Sequence, residues 1–79
     1  MMNLTIVSPE KELFAGEITE VTLPGTMGRF TIFKNHAAIV SSLTKGEINC
    51  TTLDGIVHTL DIDGGFIEAS KNEISVCVS

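Results

Sequence analysis

The chain has 79 residues, 43% of them hydrophobic and 19% charged, and ten acids against five bases give a formal net charge of −5. This length allows one domain over 1–79, the composition excludes disorder, and no apolar run approaches the roughly 20 residues that span a bilayer. Lys11, Arg29, Lys34, Lys45 and Lys71 are scattered, and Trp and Tyr are absent, so nucleic acid is excluded as a partner.

Nine Ile, nine Thr, six Val and four Phe make up about a third of the chain. These residues suit a pleated, half-buried surface. No apolar helical stripe persists, whereas short alternating runs recur between Gly, Pro, Asn and Asp. An antiparallel all-β sandwich or barrel is expected.

Asn3 to Ser8 alternates, with Leu4 and Ile6 on one face, and stops at Pro9. From Glu12 to Leu23 the phase changes: Ile18 points inward, yet Val21 and Leu23 carry the apolar face further on. An odd step of this kind predicts a bulge, or a crossing from one sheet to another. Pro24-Gly25-Thr26-Met27-Gly28 reads as a loop, Phe30 to Phe33 as a short strand, and Lys34-Asn35-His36 as a second loop. Ile39 to Leu43 is extended, and Lys45-Gly46 turns the chain.

The next hairpin has a testable register. Ile48, Cys50 and Thr52 share one face, as do Ile56, His58, Leu60 and Ile62. A two-residue Asp54-Gly55 turn would oppose Ile48 to Asp61. A three-residue loop, Leu53-Asp54-Gly55 with Gly55 left-handed, opposes Ile48 to Leu60 and Cys50 to His58 and keeps core against core. The last hairpin turns at Lys71-Asn72, pairing Ala69 with Ile74 and Ile67 with Val76. Gly64-Gly65 marks a kink or a close backbone approach.

Candidate chemistry is sparse. Cys50 and Cys77 are too few for a disulfide scaffold; with Met1-Met2-Asn3 lacking the basic region of a signal peptide, free thiols in a reducing compartment are expected. Cys50 opposite His58 evokes a thiolate–imidazole pair, but no orienting third group or oxyanion donor accompanies it. Asp61 and Asp63 lie on one strand face and read as solvated. No CxxC or HExxH spacing suggests a metal. Ser41 and Ser42 follow His36 without a GxSxG elbow, and the glycine-rich loop lacks a GKS or GKT ending. Phe66 and Cys77 oppose one another away from Ile67 and Val76, either as a partner-binding patch or as the core of the other sheet. No catalytic set emerges, and a binding module is expected.

Five motifs in order carry a family resemblance. Leu4-Thr5-Ile6-Val7-Ser8-Pro9-Glu10 opens the chain, and Val21-Thr22-Leu23-Pro24-Gly25-Thr26-Met27-Gly28-Arg29-Phe30 follows. Asn35-His36-Ala37, Ser42-Leu43 with Gly46, and Gly64-Gly65-Phe66-Ile67-Glu68 complete the series. Together they resemble the epsilon subunit of F-type ATP synthase. The resemblance implies a flattened β-sandwich of about ten short strands in two sheets; no cofactor or metal site is expected from the residues, and the nucleotide site that some relatives carry on a C-terminal arm is expected to be absent with that arm. It implies a non-catalytic rotor-stalk subunit that couples c-ring rotation to the gamma subunit in proton-driven ATP synthesis. Such a subunit is peripheral to the cytoplasmic face of the bacterial cell membrane and reaches it only through protein partners.

By the same resemblance, Met27, Gly28, Arg29 and Phe30 face the polar loops of the c-ring, and His36, Phe66 and Cys77 are candidates for the gamma interface. The position of Arg29 is often a carboxylate in relatives, so Arg29 would repel a ring-loop arginine. Lys34 and Ala38 stand where proline is frequent. Relatives usually continue into a C-terminal helical hairpin that restrains hydrolysis; a chain ending at Ser79 is expected to assemble without that inhibition. The alternative is a lipoyl- or biotinyl-like carrier domain, whose modified lysine would be Lys71.

Overall fold

Strand boundaries follow the alternation closely. The computed structural model describes residues 2–79, in which eight strands run in chain order: β1 (Met2–Val7), β2 (Glu12–Gly25), β3 (Gly28–Phe33), β4 (Ile39–Leu43), β5 (Gly46–Thr52), β6 (Val57–Ile62), β7 (Gly65–Ser70) and β8 (Glu73–Val78). The expected count of about ten is reduced because β2 continues unbroken for 14 residues through the phase change.

Two layers share that long strand. The first half of β2 pairs with β1, which pairs with β8, then β7, then β4. The second half of β2 lies between β3 and β5, and β6 completes that layer. A single bridge, Gly25 to Leu43, joins the far end of β2 to β4. Every pairing is antiparallel except β1 with β8, which is parallel. An all-antiparallel sandwich is thus corrected at one ladder: the first and last strands need no direct connection, so no hairpin constrains their direction.

The crossing point is the expected one. The β2–β5 register shifts between Ile18 and Glu20, leaving Thr19 as the extra residue. Both hairpin registers are also observed. Ile48 faces Leu60 and Cys50 faces His58; Ala69 faces Ile74 and Ile67 faces Val76. Gly55 takes φ 84, as the three-residue loop requires, and Lys71 and Asn72 take φ 50 and 63.

One apolar cluster fills the space between the layers. Leu4, Ile6, Ile67, Ile74 and Val76 enter from one side, and Val21, Leu23, Ile32, Ile48 and Cys50 from the other. Among the described residues, no polar or charged side chain is buried. Fully burying each such aliphatic contributes about 1.5–3 kcal/mol. Gly65 lies where β7 meets β8; a Cβ there would run into the Cys77 carbonyl oxygen, which makes Gly64-Gly65 the close approach expected from the sequence.

Candidate functional site

The expected loop at Pro24–Gly28 is tighter than the sequence suggested. Gly25 and Gly28 are ladder partners, so only Thr26 and Met27 form the turn. The turn is tied to β4 by Thr26 N–H donating to Ser42 O (3.1 Å) and Thr44 N–H donating to Pro24 O (2.8 Å). Met27 is fully exposed at the tip. Arg29 reaches across to β5, where its Nη1 donates to the Glu47 carbonyl at 2.8 Å. Phe30, counted with this loop from the sequence, instead turns inward and packs against the core.

Phe66 and Cys77 are brought together as cross-strand partners on the outer face of the first layer. Phe66 is 54% exposed and Cys77 half-buried, so this pair is surface and not a second core. Beside Cys77 lies a shallow cavity of about 220 Å³ lined by Val7, Ser8, Pro9, Cys77 and Val78. A second cavity, of about 230 Å³, lies at the crossing and is lined by Met2, Ile18, Thr19, Lys34 and Leu53.

His36 occupies the β3–β4 loop, off that ladder. Its Nδ1–H donates to the Ala37 carbonyl at 2.8 Å, which leaves Nε2 as a buried acceptor without a partner. The loop is anchored by Asn35 N–H, which donates to Asn72 Oδ1 at 3.2 Å.

The thiolate–imidazole pair does not form. Burial pushes the Cys50 thiol above its ordinary range, the reverse of an activated nucleophile. His58 is exposed on β6, with its ring 5.6 Å from that of Phe14 and its Nε2 3.3 Å from the Thr52 hydroxyl. That hydroxyl also meets Asp54 Oδ1, and the Ile56 N–H donates to the same oxygen at 3.1 Å. The network closes the hairpin tip and holds the Asp54 carboxyl below the usual carboxylate range, first through the Thr52 hydroxyl. Asp61 and Asp63 are both exposed. Among the described residues, no cluster of three His, Cys, Asp or Glu could hold a metal ion. Ser41 donates to the Ser42 carbonyl at 3.3 Å, and Ser42 itself lies opposite Phe66.

Sequence reasoning missed Val40, and it named Glu68 within a motif without placing it on a face. Val40 is 78% exposed on β4, and Glu68 lies opposite it on β7. Ile39 and Val40 are adjacent and equally apolar, so the sequence does not say which one faces out. The pairing of Ile39 with Ala69 decides it.

The comparisons with known proteins agree with one another. A family model described as the β-sandwich domain of the ATP synthase Delta/Epsilon chain matches residues 1–79. The ATP synthase epsilon chain of Chlorobium limicola is 40% identical over 89% of this chain and 80% of its own length. That of Campylobacter jejuni is 38% identical over 96% of this chain but only 59% of its own. A chain of the Euglena gracilis mitochondrial ATP synthase superposes with a TM-score of 0.91 at 18% identity, over 98% of this chain and 49% of that one. A Tetrahymena thermophila mitochondrial ATP synthase chain, from a central stalk and c-ring structure, gives 0.80 at 17% identity, over 98% and 62%. These last two likenesses speak to fold alone. Among the described residues, no helix is long and apolar enough to cross a membrane. The match is not to a carrier domain, and nothing favours that alternative for Lys71. The chain belongs to the family of ATP synthase Delta/Epsilon-chain β-sandwich domains.

Proposed function

We propose that this chain is an epsilon-type subunit of the central stalk of an F-type ATP synthase, non-catalytic itself, which couples c-ring rotation to the gamma subunit in proton-driven synthesis. The family match over residues 1–79 carries the reading. The outer face holding Phe66 and Cys77 is the gamma-facing surface, with the His36 loop at its margin. The Thr26-Met27 turn is the ring-facing end: Met27 is its exposed apolar tip, and Arg29 lies beside it. Contact with the membrane is through these protein partners, on the cytoplasmic face. The ring pairing expected of an acid at position 29 is replaced here by a cation already engaged with its own β5 carbonyl.

Native mass spectrometry of the chain mixed with its cognate gamma subunit tests the reading. A stable one-to-one complex is the expected result. Two folded proteins that do not associate would overturn it.

A further inference from the structure

Building on the stalk reading above, we infer that the outer face of the first layer receives a surface of the gamma subunit that is apolar at one margin and cationic beside it, with Glu68 as the carboxylate that meets the cation. The β4–β7–β8–β1–β2 ladder sets the outward side chains in three rows. Ser42, Phe66, Cys77, Val7 and Glu12 form the first. Val40, Glu68, Ser75, Thr5 and Ala15 form the second. Ser70, Glu73, Asn3 and Glu17 form the third. Successive rows lie about 6.6–6.8 Å apart along the strands.

Chemistry changes from row to row. The first is apolar or small from Ser42 to Val7 and ends on Glu12, and it continues into the cavity lined by Val7, Ser8, Pro9, Cys77 and Val78. The second and third carry Glu68, Glu73 and Glu17, and no Lys or Arg stands in any row. Glu73 already accepts a hydrogen bond from Asn3 Nδ2 at 2.7 Å. Glu68 instead stands between two exposed hydrophobics, with Val40 opposite it and Phe66 two residues before it. A partner that covers Phe66 and Val40 strips water from the Glu68 carboxylate, which then needs a cation. On the outer face of the second layer the Thr22 and Thr31 hydroxyls satisfy each other at 2.8 Å, and Glu20 stands in one row with exposed Phe33 and Val57. Because the stalk reading sets gamma against Phe66 and Cys77, the first layer is the face it covers, and the occupant there is a basic, partly apolar surface.

The affinity of the whole chain for purified cognate gamma subunit, measured at low and physiological salt, tests this. Glu68→Gln is expected to weaken binding about tenfold and to flatten its salt dependence. Phe66→Ala is expected to weaken it about 30-fold without changing the salt dependence. Asp61→Asn, on the second layer, serves as the control and leaves both unchanged. Unaltered thermal melting of Glu68→Gln separates a binding effect from misfolding. Wild-type affinity and salt dependence in Glu68→Gln would overturn the inference while leaving the stalk reading intact, as would an equal loss in Asp61→Asn. Failure of the wild-type chain to bind gamma would overturn both.

Discussion

Ile18 and Val21 lie three residues apart on one strand, yet both are buried in the same core, at 1% and 0% exposure. Regular β alternation would send them to opposite faces. The register shift between Ile18 and Glu20 against Thr52 and Thr51 resolves the conflict by leaving Thr19 unpaired. The Thr19 hydroxyl returns to the Thr51 carbonyl at 3.4 Å. The same shift lets β2 leave β1 and join β5, so one extra residue both reverses the phase and links the layers.

Deleting Thr19 removes that residue and forces a choice. Val21 and Leu23 must leave the core, or β2 must give up its register with β5. Each large core side chain lost costs about 2–5 kcal/mol, and a small domain has about 5–15 kcal/mol in all. The deletion variant is expected to show no cooperative urea transition. Thr19→Ala, which keeps the backbone count, is expected to cost about 1 kcal/mol or less. A deletion variant melting at the wild-type midpoint would refute the role of the bulge.

Gly65 and Gly55 make a second comparison. Both have positive φ, 152 and 84, but a Cβ at Gly55 meets open space while one at Gly65 strikes the Cys77 carbonyl. Gly55→Ala is expected to cost about 1–2 kcal/mol, the strain of the conformation alone. Gly65→Ala adds the displacement of β8 from β7 and is expected to cost about 3 kcal/mol or more. Equal urea midpoints for the two variants would contradict the close approach.

Much of this fold was legible because local chemistry and burial agree. The Leu53-Asp54-Gly55 loop was derivable because only one loop length sets Ile48 against Leu60. The turn at Lys71-Asn72 was legible from the flanking alternation. The parallel β1–β8 ladder was not, because no short-range signal joins residues some 70 positions apart. The tight Thr26-Met27 turn was hidden because glycines and proline mark a break without fixing its length. At the surface, Phe66 and Cys77 could be paired from the final hairpin, but exposed patch and second core remained equal alternatives. Only the position of β4 against β7 decides between them, and it also brings out Val40 and Glu68.

Cys50 gives the molecule a dependence on alkaline pH. Burial raises its thiol in the folded state, so the unfolded chain releases this proton first as pH rises. Stability is therefore complete below the ordinary thiol value of about 8.5 and falls above it, by at most about 1.4 kcal/mol per pH unit, until the folded value is reached. Urea midpoints between pH 7 and pH 10 should decline in the wild type. Cys50→Val, close in size and without an ionisable group, is expected to flatten the part of that slope due to this thiol. An identical slope in the two proteins would show that Cys50 is not its source.

Asp54 sets the opposite dependence at the acid end. The Thr52 hydroxyl, the Ile56 N–H and the nearby His58 all favour its charged form, with the hydroxyl contributing most. Its folded value is lowered, so its contribution is present above the ordinary aspartate value of about 3.9 and is lost as pH falls through the lowered one. A carboxyl NMR titration should place the Asp54 midpoint below 3.9. Thr52→Val removes the hydroxyl, and the midpoint is expected to move upward. Asp54→Asn, which cannot titrate, should lessen the loss of stability over the same acid range. If the midpoint stays put in Thr52→Val, the hydroxyl is not what holds the carboxylate, and the Ile56 N–H that donates to it is.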